Sequence, residues 1–347
     1  MAEYYVTTDG TDHADEDGSS ANPWASIGYA GSRVADGDTI YIQAGSYSLS
    51  NNTENTSGGP FTGPATSLCW VIGYEDTKDD GCPTGDRPVI SANSVASVAH
   101  IIKVTGQYAK SGIVCNIEID GTDTTTDGIT GSRSSYSNCK VSNCVNGFKE
   151  GHCVGCFASE CTKGFSATGE SFLYCWADSC STGFEGGSGT SIVYCLSTRS
   201  TVRGMYLQYS GSIANSTVAY QITGDAFVGY WATVIANSVA CDIDAGYAFS
   251  TFHQVLNSAH YSCGSGRSNN VDMDIGAITL TSDPFDSSTN DYEANAEAAG
   301  GELLKGAGFV PWGLATQTAN IDVGAVQHAD PAGGGDSWPY PRARRIG

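Results

Sequence analysis

NCKVSNCVNGF (Asn138 to Phe148) is followed by GCFASECTKGF (Gly155 to Phe165), YCWADSCSTGF (Tyr174 to Phe184) and YCLSTRSTVRGM (Tyr194 to Met205). Three more copies start at Asn215, Asn237 and Asn257, reading NSTVAYQITGDAF, NSVACDIDAGYAF and NSAHYSCGSG. One column runs Cys139, Cys156, Cys175, Cys195, Ser216, Ser238, Ser258, in steps of 17, 19, 20, 21, 22 and 20 residues. A second runs Gly147, Gly164, Gly183, Gly204, Gly224, Gly246, and Phe148, Phe165, Phe184, Met205, Phe227 and Tyr247 follow it at once or within three residues. A unit that recurs in this way cannot bury an apolar face alone, so its copies must stack into a solenoid.

A period near twenty fits a leucine-rich repeat or a β-helix, and the residue types decide between them. Leucine is scarce, and each unit holds two or three short apolar pieces separated by Asn, Gly and Ser, with no stretch long enough for an amphipathic helix. The residues three before the Cys column (Tyr136, Cys153, Phe172, Ile192, Ile213, Ile235, Val255) and two after it (Val141, Ala158, Ala177, Ser197, Val218, Ala240, His260) are expected to face inward. Between them Asn138, Asn215, Asn237 and Asn257, with Tyr or Gly in the other units, mark a corner, because Asn tolerates left-handed backbone and can bond a stacked copy of itself. The fold expected is all-β: a single-stranded parallel β-helix of roughly eleven to thirteen coils, about 50–60 Å long at the strand spacing.

The opening segment Tyr4 to Tyr47, the piece Trp70 to Ser91, and the closing YEANAEAAGGELLKGAGF with IDVGAVQ (Ile321 to Gln327) resemble the pectate-lyase-like, right-handed parallel β-helix superfamily. The resemblance implies a short N-terminal capping helix, placed here at about Trp24 to Val34, and covers about residues 4 to 327. Residues 1–50 are assigned to the opening strand, loop and cap helix, 51–327 to the coils, and 328–347 to a Gly/Pro-rich basic tail. The superfamily includes lyases, hydrolases, epimerases, phage tailspikes and binding proteins, so the likeness is specific for fold and poor for activity.

Composition narrows the setting. With 37 acidic against 16 basic residues the formal charge is -21, which disfavours nucleic acid, anionic membranes and acidic polysaccharide as partners. No run reaches the eighteen or so apolar residues of a membrane span, and the start Met-Ala-Glu-Tyr-Tyr lacks the basic and apolar regions of a signal peptide. Synthesis in the cytoplasm, followed by display on a virion surface or release outside the cell, is the expectation. The thirteen cysteines are read as buried thiols that fill space in the core, with no metal and no cofactor. Cys69 and Cys82 would be the pair to bridge, if any is.

Superfamily lyases use a basic residue beside carboxylates that hold calcium or neutralise a uronate, and its hydrolases use clustered carboxylates. Calcium enters only under that lyase alternative. The candidates here are Lys140, Asp120, Asp123 and Asp127 in NIEIDGTDTTTDGI, and Asp242 and Asp244, with Asp272 and Asp274 similar. Asp-Gly is also ordinary turn chemistry, and His100, His152, His253 and His260 are scattered. Arg199 and Arg203 share a coil with no carboxylate evident opposite them.

An outward column Lys140, Phe157, Trp176, Leu196, Thr217, Val239, Ala259 places an apolar stripe, Phe157, Trp176 and Leu196, one coil apart. It can stack on sugar rings, meet a partner, or lie under a loop of the same chain. The tail HADPAGGGDSWPYPRARRIG carries Trp338, Tyr340, Arg342, Arg344 and Arg345, suited to docking an acidic neighbour. These features point to a non-enzymatic structural or adhesive β-helix, a surface component of a large assembly such as a phage virion (decoration, fibre or tailspike-like), docked through its tail. Its expected partners are other subunits, a homo-oligomer such as a trimer, and glycans. The alternative is a polysaccharide-acting enzyme, lyase or glycoside hydrolase.

Overall fold

The computed structural model describes residues 2–35, 37–49, 70–92, 100–103, 112–122, 126–221, 223–251, 254–267, 273–275, 278–282, 285–286 and 291–294. Twelve parallel strands, from Glu3–Val6 to Met273–Ile275, form one face of a solenoid, one strand to a coil. The remaining two strands of each coil join in an eighteen-stranded sheet that supplies a second and a third face. This is the right-handed parallel β-helix expected from the repeat. Among the described residues one helix, Ile27–Arg33, caps the start; the Ser26 hydroxyl accepts the Tyr29 N–H at its N-terminus. It is shorter than the Trp24–Val34 expected, because Trp24 instead bridges to Val6 and both Ser26 and Val34 are extended.

The stacking follows the columns. Tyr136, Cys153, Phe172, Ile192, Ile213, Ile235 and Val255 are register partners in successive coils, and all are buried. Cys139, Cys156, Cys175, Cys195, Ser216, Ser238 and Ser258 are buried as well. Where the column changes from Cys to Ser the hydroxyls begin to bond along the axis: Ser216 Oγ accepts the Cys195 N–H at 3.2 Å, and Ser238 and Ser258 accept from Ser216 and Ser238, each at 3.3 Å. The twelve described cysteines are free thiols; Cys69 lies outside the described residues and Cys82 is buried. Burial pushes the thiols of Cys139, Cys153 and Cys175 far up, so they remain protonated and inert.

Asn138, Asn215, Asn237 and Asn257 have φ between 44° and 50°, so the corner is left-handed as expected; Asn138 Nδ2 donates to Asn116 Oδ1 at 2.8 Å, whereas the buried amide of Asn215 has no hydrogen-bond partner among the described residues. The Gly–Phe column forms the third face. A Cβ on Gly147 would lie 2.7 Å from the Gly164 carbonyl oxygen, and one on Gly164 equally close to that of Gly183, so only glycine lets these coils approach. Beside them Phe148, Phe165 and Phe184 stack with centroids 4.9 and 4.6 Å apart and rings within 7° of parallel. At the far end Phe249, not Tyr247, stacks on Phe227 at 5.5 Å. The register with the preceding coil is unbroken from Gln221 opposite Ile243 to Phe227 opposite Phe249, so Tyr247 falls level with the outward Asp225 and is exposed.

Phe165 lies in the middle of this stack, so Phe165→Ala should destabilise the fold by roughly 3–5 kcal/mol. Phe157→Ala, on the outside of the coil, should cost less than half as much. Chemical denaturation of both variants checks the difference; equal losses would contradict the inward–outward assignment.

Candidate functional site

The outer surface of the second face carries the predicted stripe. Lys140, Phe157, Trp176, Leu196, Thr217, Val239 and Ala259 are register partners in consecutive coils. Phe157 and Trp176 are half-buried and meet edge-to-face, centroids 5.0 Å apart. From Leu196 onward the column is buried although it points away from the axis. A second, smaller core forms there, of Ala219, Val239, Cys241, Ala259 and Leu280 with Tyr261 and Ile278 against it. The accessible stripe therefore ends at Trp176.

Next to it the corner changes character. After Gly155, two coils use Tyr174 and Tyr194 where Asn138, Asn215, Asn237 and Asn257 stand in others, with φ of 54° and 53°. Left-handed backbone costs a residue with a Cβ roughly 1–2 kcal/mol. The two rings stack at 5.1 Å, interplanar angle 11°. In sequence they stand two residues before Trp176 and Leu196, and with Phe157 and Trp176 they mark an aromatic corner in which Tyr194 is buried and the other three rings are half-buried. Polar groups anchor it: Trp176 Nε1 donates to Thr198 Oγ1 at 2.9 Å, Thr198 Oγ1 donates to Asp178 Oδ1 at 2.7 Å, and Arg199 Nε donates to the same oxygen at 2.8 Å. Asp178, one coil away, is the carboxylate partner of Arg199 that the sequence reading did not find.

The third face has a charged ladder outside its phenylalanines. One column runs His100, Asp127, Asn146, Lys163, Thr182, Arg203, Asp225, and the other Lys103, Thr130, Lys149, Ser166, Glu185, Tyr206, Val228. Asp127 is its hub: Lys149 Nζ lies 3.0 Å and His100 Nδ1 3.2 Å from its carboxylate, and Asn146 Nδ2 donates at 2.5 Å. Burial alone would raise the Asp127 pKa, but the hydrogen bonds from His100, Asn146 and Lys149 outweigh it and lower it to about 2. Lys163 donates to Glu185 at 2.8 Å. Only the flanks of the Gly–Phe column could have signalled this ladder, since the residue before each Gly and the one after each Phe point outward.

Of the sequence candidates, Lys140 lies 3.6 Å from Glu118 on the neighbouring coil. Asp120 accepts from Asn143 Nδ2 at 2.9 Å and from the Thr122 N–H at 3.2 Å, as a turn carboxylate does. Asp242 is at a left-handed bend, φ 50°, with the Cys241 thiol donating to it, and Asp244 is exposed. Asp120 and Asp242 lie six coils apart, about 29 Å at the strand spacing, so they do not form a pair. Asp123, Asp272, the side chain of Asp274, and the tail residues Trp338, Tyr340, Arg342, Arg344 and Arg345 lie outside the described residues. On the first face His152 Nε2 is 2.7 Å from Glu170, while its Nδ1 accepts the Ser171 N–H at 3.1 Å, so the lone pair a general base would use is already engaged. Among the described residues no cluster of three or more His, Cys, Asp or Glu could hold a metal ion, and no helix is long and apolar enough to cross a membrane.

No family model matches the chain, and no curated protein matches it in sequence. Solved structures do match. A crystal structure of pectate lyase Pel9A aligns over 95% of this chain and 97% of its own, with TM-score 0.58 and 14% identity. This chain has the pectate-lyase-like β-helix fold. A rhamnogalacturonan lyase (15% identity, 76% of this chain and 75% of that one, TM-score 0.48) and ORF18 of Geobacillus virus E2 (11%, 80% and 60%, TM-score 0.49) are looser likenesses. At such identities the β-helix is shared and the chemistry is not carried with it.

Asp127 supplies a pH test. Its folded pKa is depressed below the unfolded value, so its contribution is present above about pH 4 and is lost as pH falls through about 2. Asp127→Asn should therefore cost about 2 kcal/mol at pH 7 and much less at pH 2. Urea melts at the two pH values measure this; an equal cost at both would show that the carboxylate is not held by its neighbours.

Proposed function

We propose that this β-helix is a non-enzymatic adhesive rod that binds glycan at the aromatic corner of its second face and serves as a surface component of a larger assembly such as a phage virion. One observation carries the reading: beside the half-buried Phe157–Trp176 pair, Tyr174 takes a left-handed position that asparagine holds at lower cost and keeps part of its ring accessible, stacked on the buried Tyr194. Aromatic faces in a row, edged by the exposed Arg199 that Asp178 holds in place, suit the apolar faces and hydroxyl rims of sugar rings. The ammonium groups of Lys140, Lys149 and Lys163 are turned onto carboxylates, a poor arrangement for abstracting a proton from substrate.

A second reading, a polysaccharide lyase or glycoside hydrolase, draws on the His100–Asp127–Lys149 cluster, where a base and a carboxylate do come together. One experiment separates the two. The protein is screened for binding to a panel of neutral and acidic glycans, and the same mixtures are assayed for unsaturated and reducing-end products. Binding without product, weakened at least about tenfold (about 1.4 kcal/mol) by the double variant Phe157→Ala/Trp176→Ala, is the expected result. Product formation lost in Lys149→Ala would replace the adhesive reading with the enzymatic one.

The assembly half of the proposal is supported by sequence. Three arginines and two aromatic residues follow a glycine hinge on a body of strongly acidic composition, a complementary pairing for docking on another subunit or a second copy, as in a trimer. Deleting Ser337 to Gly347 should leave the coils folded by circular dichroism and abolish incorporation into the particle or oligomer. Normal incorporation of the truncated chain would exclude the tail as the dock.

A further inference from the structure

A second set of aromatic side chains lies on the third face, far from the corner just described. Seven large hydrophobic side chains are exposed among the described residues, and four of them, Tyr209, Tyr230, Trp231 and Tyr247, belong to the coils that begin at Arg203 and Asp225 and the coil that follows. Trp231 is 78% exposed. It and Ala232 are consecutive left-handed residues, φ 53° and 54°, in a turn that holds an indole out in water at a backbone cost. Neither burial nor packing accounts for an indole held there.

Its surroundings are polar and ordered. Arg203 lies over the Tyr206 ring at 4.3 Å, and Tyr230 meets that ring edge-on at 5.9 Å, so a row of contacts leads from the guanidinium to Tyr230, the residue before Trp231. Asp225 is the register partner of Arg203 on the next coil, and its Oδ1 accepts the Tyr247 N–H at 2.8 Å. Arg203 and Asp225 therefore stand at the same position of neighbouring coils, with Tyr206 and Tyr230 toward one side and Tyr247 toward the other.

We infer that this face holds a second ligand site, for the pyranose ring of a neutral glycan. A guanidinium beside a carboxylate offers donors and acceptors to neighbouring hydroxyls with no net charge to attract an anion. The indole takes the apolar face of the ring. An anionic sugar would meet Asp225 here and the formal charge of -21 elsewhere. The site stands apart from the Phe157–Trp176 corner and does not depend on it.

Xylo-, cello- and manno-oligosaccharides, with oligogalacturonate as the anionic comparison, are titrated into the full chain, read by calorimetry and by the tryptophan fluorescence difference between wild type and Trp231→Ala. The expected result is binding of at least one neutral series that perturbs the Trp231 signal. That binding should weaken at least tenfold in Trp231→Ala and in Arg203→Met, whose aliphatic stem keeps the Tyr206 contact. It should be unchanged in Phe157→Ala/Trp176→Ala, so failure at this site and failure at the corner are read separately. The exposed indole can be removed without touching the core, and circular dichroism confirms that each variant is folded. If no neutral series perturbs Trp231, if Trp231→Ala binds as wild type does, or if oligogalacturonate binds there in their place, the inference is overturned.

Discussion

The parallel register of successive coils is the constraint on which everything else in this molecule depends. Each hydrogen-bonded step places a residue about 4.8 Å above its partner in the coil below. A side chain must then pack on the one directly above and below it, and the column becomes the unit of stability. Phe148, Phe165 and Phe184 gain by stacking flat, while Cys139 to Cys195 fill the next column with compact, weakly polar thiols. The serines that replace them at the far end keep the column polar enough to accept backbone N–H groups. A misfit in one coil is transmitted only to its two neighbours.

The same geometry makes the outside of the rod informative. Inward columns must be uniform, so their identities say little beyond packing. Outward columns are free to vary, and their variation separates the faces. The third face alternates charge, pairing Lys149 with Asp127 and Lys163 with Glu185 across coils. The second face loses its charge after Lys140 and becomes aromatic, then disappears beneath a satellite core. A surface patterned in stripes parallel to the axis suits an elongated ligand lying along the rod or a neighbour packed beside it.

What could be read from sequence was what the repeat enforces. The Cys/Ser column, the two inward columns beside it and the asparagine corner all recur at a fixed place in the unit, and the backbone puts them where that periodicity requires. Residues that do not repeat were harder to place. The partnership of Arg199 with Asp178 joins consecutive coils diagonally, and no column contains both. The charged ladder escaped because Asn146, Lys163, Thr182 and Arg203 share a position but no chemistry. Tyr247 follows Gly246 as the phenylalanines follow their glycines, yet the unbroken register with the preceding coil gives that place to Phe249. Burial of Val239 and Ala259 depends on a second layer that a single coil's pattern does not encode.

The departures from the repeat are therefore where function is best sought, and the corner offers a thermodynamic reason. Asparagine at a left-handed position meets a low steric penalty and can bond the asparagine above it, as Asn138 does with Asn116. Tyrosine in that position keeps the backbone penalty and loses the ladder hydrogen bond. The stacking of Tyr174 on Tyr194 returns about 0.5–1.5 kcal/mol for the pair, set against roughly 1–2 kcal/mol for each left-handed residue. Burial of the Tyr194 ring offsets this cost, so the half-buried Tyr174 is the one whose left-handed backbone is least explained by packing. What the pair adds is a ring surface at the edge of the second face, the half-buried Tyr174 stacked on the buried Tyr194, beside Trp176 and Phe157.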